Sequence, residues 1–156
     1  MQLTKSLLVD AAIILGLILV GVVGYKLSPL LLPQADMTLQ PAPGCNLHEK
    51  ACAATLPEGG TVRLAVTPRP IPVTTPLEIV VELDGLPADR VSVDFAGVSM
   101  AMGFNRPVLV AAGAQRFVGQ ATLPVCVSGR MEWQATVLIE SGRRRIAIPY
   151  RFESGH

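Results

Sequence analysis

Histidine is nearly absent from this chain: His48 and His156 are the two it has in 156 residues, and the second is the last residue. A Ser-His-carboxylate or Cys-His arrangement would have to use His48, near which no glycine-framed nucleophile stands. That removes the usual route to hydrolase chemistry. Charge is sparse as well, at 16% of residues with a net +1. From position 33 onward eleven Lys and Arg balance eleven Asp and Glu, which excludes the concentrated basic surface of a nucleic-acid binder. The run Arg143, Arg144, Arg145 is the one local exception, and we read it as a solvated strand end instead of an anion site. A Walker loop, a dinucleotide fingerprint and a CxxC pair are all missing. Asp84, Asp89 and Asp94 could converge as paired carboxylates, but each sits near a turn, where solvated aspartates are common. An enzyme is therefore not the expectation.

What the chain does have is one long apolar run. Ser6 to Tyr25 gives twenty residues with Asp10 as the only charge. A helix of that length rises about 30 Å, enough to cross the hydrocarbon core. Asp10 lies in the first turns, where its carboxylate can stay among the headgroups. Residues 1–32 are read as a single transmembrane anchor. Lys5 with the α-amino group lies on one side and Lys26 on the other, so the positive-inside bias is slight. Cysteine placement decides the orientation, because Cys45 and Cys52 after the span suit a disulfide in an oxidising compartment. The expectation is a bacterial inner-membrane protein, single-pass, with its C-terminal domain in the periplasm. The alternative for the same run is a cleaved leader with a poor processing site at Val22-Val23-Gly24.

Pro29, Pro33, Pro41 and Pro43 follow the span, and prolines at this density stop a helix and hold backbone extended. Residues 33–59 are read as a linker carrying the Cys45, His48, Cys52 pattern. That C-x2-H-x3-C spacing offers three metal ligands or a small disulfide loop. With no fourth ligand evident, the disulfide Cys45–Cys52 is the expected form.

Beyond Gly59-Gly60 the pattern changes to period two, the mark of half-buried strands. Val62, Leu64 and Val66 alternate with Thr61, Arg63 and Ala65; Leu77, Ile79 and Val81 alternate with Glu78, Val80 and Glu82. Further strands are expected at Val91 to Phe95, Pro107 to Val110, Arg116 to Leu123, Met131 to Glu140 and Arg144 to Phe152. Pro68, Pro70 and Pro72 read as an edge crossing between two sheets, since proline cannot donate to a ladder. Residues 60–156 are thus expected to be an all-β, immunoglobulin-like β-sandwich of about seven strands.

Within that domain the chemistry points to sulfur. Met100 and Met102 stand at i and i+2, on one face of an extended strand. Cys126 and Met131 flank four residues that include Gly129, a spacing that fits a hairpin and would set the two sulfurs opposite each other. Thioether and thiolate sulfur favour Cu(I) over Zn(II), Mg(II) or Ca(II). Pairing Cys45 with Cys52 leaves Cys126 as an odd thiol. The competing reading is that Met131, which shares parity with Trp133, Ala135, Val137 and Ile139, faces the core as a gap-filler, and that Cys126 is a buried free thiol.

The segment Val91 to Arg106, with its Met100-Ala101-Met102, followed by Gly119-Gln120-Ala121-Thr122-Leu123 and Gly129-Arg130-Met131 before Trp133, resembles the YtkA/FixH-like group of membrane-anchored β-sandwich proteins. The resemblance covers about Gly60 to Phe152 plus the anchor. It implies association with assembly or copper supply of respiratory haem-copper oxidases, with Met100, Met102, Cys126 and Met131 in the suggestive positions. This sequence departs from histidine-and-methionine copper chaperones, because its β domain has no histidine before His156. That leaves Cu(I) as the natural ion. The expected partners are an inner-membrane respiratory complex or its copper donors and acceptors. A reading of a different class is a metal-free docking subunit, with Gly16, Gly21 and Gly24 allowing close helix approach and exposed apolar residues around Phe104 and Val108.

Overall fold

The computed structural model describes residues 2–31, 35–125 and 129–155. The chain divides into two compact units, residues 1–34 and 35–156. The first is a single helix, α1 (Gln2–Leu31). Its stretch Leu7–Lys26 is long and apolar enough to cross a membrane, and every side chain along it is exposed. The helix continues through Pro29 to Leu31, past the point where the prolines were expected to stop it. Near a C-terminal turn a proline forfeits one ladder bond and leaves the turns before it intact.

The second unit is built from strands. Among the described residues there are nine: β1 (Met37–Thr38), β2 (Cys52–Thr55), β3 (Thr61–Thr67), β4 (Pro76–Asp84), β5 (Arg90–Gly97), β6 (Val110–Ala111), β7 (Arg116–Thr122), β8 (Met131–Ser141) and β9 (Arg144–Ser154). They form a four-stranded sheet in the order β1-β9-β8-β5 and a five-stranded sheet in the order β2-β3-β4-β7-β6. Period two explains which faces are buried. In β3, Val62, Leu64 and Val66 are buried while Arg63 is exposed; in β8, Met131, Trp133, Ala135, Val137 and Ile139 are all buried. These residues, with Leu77, Ile79 and Val81 of β4 and Ile148, Tyr150 and Phe152 of β9, make one hydrophobic core. Each large apolar side chain so buried contributes roughly 1.5–3 kcal/mol.

Three expectations about connections are corrected here. The proline-bearing segment between β3 and β4 does not cross between sheets, because those strands are antiparallel neighbours in one sheet. Residues 35–59 are part of the compact unit and not a free linker: β1 pairs in parallel with β9, and Leu39, Leu47, Cys52 and Leu56 are buried. Apolar side chains spaced through a proline-rich segment supply burial without regular secondary structure. The expected strand Pro107 to Val110 is instead a covering segment. It bonds β5 through Asn105, Pro107 and Leu109 before β6 joins β7 in the other sheet. Pro107 accepts from Val93 but has no N–H to give back.

The chain arrives at one end of this unit. Asp36 donates its N–H to the Arg145 carbonyl at 2.8 Å and accepts the Arg145 N–H on its carboxylate at 2.8 Å. The opposite end, about 30 Å away at the rise of an eleven-residue strand, gathers residues 45–51, 68–75, 98–104, 123–125, 129–130 and 153–155.

Candidate functional site

The far end holds Met100, Met102 and Met131. Strand β5 finishes at Gly97, which stands opposite Trp133 in the ladder with β8, and Val98 still donates to the Glu132 carbonyl at 3.0 Å. The chain then turns back over the end of the sheet. A Cβ placed on Gly97 would lie 3.0 Å from Cε of Met131 and 3.1 Å from Cγ of Met102, and would collide with the Met100 carbonyl oxygen. Both named carbons are bonded directly to sulfur. The missing side chain of Gly97 is therefore the space that the Met102 and Met131 side chains both border. Met131 is 5% exposed and belongs to the core, Met102 is half-buried and packs against it, and Met100 is 47% exposed.

The fourth expected ligand, Cys126, lies outside the described residues, as do the residues 127–128 that follow it. The hairpin expected between the strands that flank it is not formed. Strand β7 belongs to the five-stranded sheet and β8 to the four-stranded one, so the connection between them changes sheets.

The disulfide Cys45–Cys52 is formed, with the Cα atoms 5.4 Å apart. This takes both cysteines out of the C-x2-H-x3-C pattern. His48 is engaged as well. The Ile71 N–H donates to Nδ1 at 3.0 Å, and Nε2 lies 2.6 Å from the Glu153 carbonyl oxygen. A backbone N–H can only meet a bare nitrogen, so Nδ1 is the acceptor and Nε2 carries the proton. The ring also meets Phe152 edge-on at 5.9 Å. Ser154 Oγ donates to the Ile71 carbonyl at 2.7 Å. His48 thus ties together the disulfide loop, the proline loop and the end of β9, beside an open cleft of about 690 Å³ lined by Pro70, Pro72, Thr74 and Arg130.

The other candidates separate. Asp94 pairs with Arg106 at 3.1 Å, and Asp89 accepts the Gly142 N–H at 2.7 Å. Asp84 ends β4, in the other sheet. Among the described residues no three His, Cys, Asp or Glu gather as a metal site. Arg144 forks onto both carboxylate oxygens of Glu58 at 2.7 Å, an exposed pair that holds the guanidinium more firmly charged. Phe104 is 82% exposed, with the Arg106 guanidinium 5.2 Å from its ring centre.

Gly97 and the His48 bridge escape sequence reasoning, since neither contact has a local pattern. The same is true of two core groups. Trp133 Nε1 and Tyr150 Oη are buried with no hydrogen-bond partner, and burial pushes the Tyr150 phenol well above its ordinary range.

The fold and site define a two-sheet β domain that follows one apolar helix in the chain, with the Met102 and Met131 side chains both bordering Gly97. The chain matches no family model, no curated protein and no solved structure.

Proposed function

We propose that this chain is a membrane-tethered Cu(I)-binding accessory protein, its helix anchored in a bacterial inner membrane and its domain, an immunoglobulin-like β-sandwich, held in the periplasm. The role is copper delivery or assembly of a respiratory oxidase. The observation that carries this reading is the meeting of Met102 and Met131 around Gly97, with Met100 on the same turn. Thioethers need no deprotonation and prefer Cu(I) to harder ions.

A metal-free docking subunit is the second reading. It is favoured by the exposed apolar residues Val98, Phe104 and Val125 at the same end of the domain and by the core packing of Met131.

Anaerobic Cu(I) titration of the full chain in detergent against a competing chelator separates the two. The copper reading expects one-to-one binding that is weakened in Met102→Leu, Met131→Leu and Cys126→Ser. Failure of the folded wild type to compete for Cu(I) leaves the docking reading.

A further inference from the structure

The outward face of the four-stranded sheet carries its charges in a regular order. Arg90 of β5 stands opposite Glu140 of β8, and Glu140 stands opposite Arg145 of β9. Asp36, bonded to the Arg145 backbone on the other side, ends the row. All four are exposed, and their sign alternates strand by strand. Among the described residues Arg90, Glu140 and Arg145 make no ion pair. The next outward row, Ser92, Leu138, Ala147 and Thr38, has no charge. It is also low, since Ser92 and Ala147 are each 8% exposed although they share the outward parity of their strands. The row after that holds Asp94, already paired with Arg106, beside Thr136 and Pro149.

We propose that this face is a dimer interface, its occupant a second copy of the same chain turned about a two-fold axis that runs along the strands between β8 and β9. That rotation reverses the strand order, so β5 faces β1 and β8 faces β9 of the other copy. An alternating row then meets its own complement. Arg90 faces Asp36 and Glu140 faces Arg145, each pair occurring twice, while the row of Ser92, Leu138, Ala147 and Thr38 closes against itself without a charge. The same rotation leaves both chains entering at one end, which suits the membrane-anchored reading above. The contact stops where β5 stops, because Glu132 and Glu153, opposite each other in the ladder, would meet like charges on the other copy. Four strands about 4.8 Å apart and the eight residues of β5 at about 3.3 Å each outline roughly 500 Å² per copy, and about 1,000 Å² for the pair. That is the lower bound for a specific interface and fits a reversible dimer instead of an obligate one.

Sedimentation equilibrium of the full chain in density-matched detergent, over a range of concentrations, tests the proposal. The wild type is expected to dimerise reversibly. Glu140→Arg sets like charges across the axis and is expected to raise the dimer Kd roughly tenfold or more, as is Arg145→Glu. Combining the two substitutions restores opposite signs and is expected to return the Kd to within about threefold of the wild type. All of these positions are exposed, and urea unfolding midpoints for each chain keep folding apart from association. A wild type that stays monomeric overturns the proposal and leaves the face to a partner of another kind. A dimer that neither single reversal weakens, or that the double variant fails to recover, also overturns it, since the association then lies in α1 or on another face.

Discussion

Ile71 donates its backbone N–H to Nδ1 of His48 at 3.0 Å, and this bond joins the proline loop to the disulfide loop. Ile71 is nearly fully buried, so its N–H has no ready substitute partner in water. Removing the ring leaves both that donor and the Glu153 carbonyl without their present partner. His48→Ala is expected to destabilise the domain by about 1–3 kcal/mol, read as a lower midpoint in urea. A midpoint equal to that of the wild type would show that the bridge adds nothing.

Gly97 is where the packing is closest. An added methyl meets the Met100 carbonyl, which is backbone and cannot swing aside as a side chain can. Gly97→Ala is expected to lose about 1–3 kcal/mol through overpacking and to weaken any Cu(I) binding along with it. Wild-type stability and affinity in this variant would dispose of the proposed convergence.

Tyr150 gives a prediction in pH. Its phenol is buried without a partner and is held neutral in the folded state, its pKa raised by burial. The unfolded chain ionises the same group near the ordinary tyrosine value of about 10. Below that value both states keep the proton and stability does not depend on this group. As pH climbs above it, the unfolded state alone loses the proton and stability falls. Tyr150→Phe is expected to flatten that alkaline decline and, by removing an unsatisfied hydroxyl, to add roughly 1 kcal/mol at neutral pH. Thermal unfolding between pH 8 and pH 11 distinguishes the two chains.

Thr74 adopts a φ of 57°, a left-handed conformation that penalises a β-branched side chain. Asparagine tolerates it better, and Thr74→Asn is expected to gain about 1 kcal/mol. A loss of stability would mean that the threonine side chain is needed where it stands.

The Cys45–Cys52 bridge spans a sequence separation of 7 and carries both the buried Leu47 and His48. Cys45→Ser with Cys52→Ser is expected to cost between about 2 and 3 kcal/mol. The loss should exceed that of His48→Ala in the same assay if the bridge also holds Leu47 in the core.

Much of the fold was readable one strand at a time. The parity of Val62, Leu64 and Val66, or of Trp133, Ala135 and Val137, is a local property, because successive side chains of any strand point to opposite faces. The apolar run of α1 is equally local, and so is the likelihood of a bridge between two cysteines seven residues apart. Pairing is different. Whether β7 neighbours β8 depends on competition among all inward faces, so the spacing of Cys126 and Met131 suggested a hairpin where the chain changes sheets. Residues 33–59 read as a linker because prolines mask the scattered Leu39, Leu47 and Leu56, whose burial needs partners far along the chain.

The amino-acid order by itself therefore determined one apolar helix, an alternating β domain and a small set of sulfur residues, since each follows from near neighbours. Tertiary structure alone decided that Met102 and Met131 meet at Gly97 and that His48 bridges Ile71 and Glu153. Those contacts join residues whose proximity is set by closing a shared core, and no periodicity within a segment encodes that.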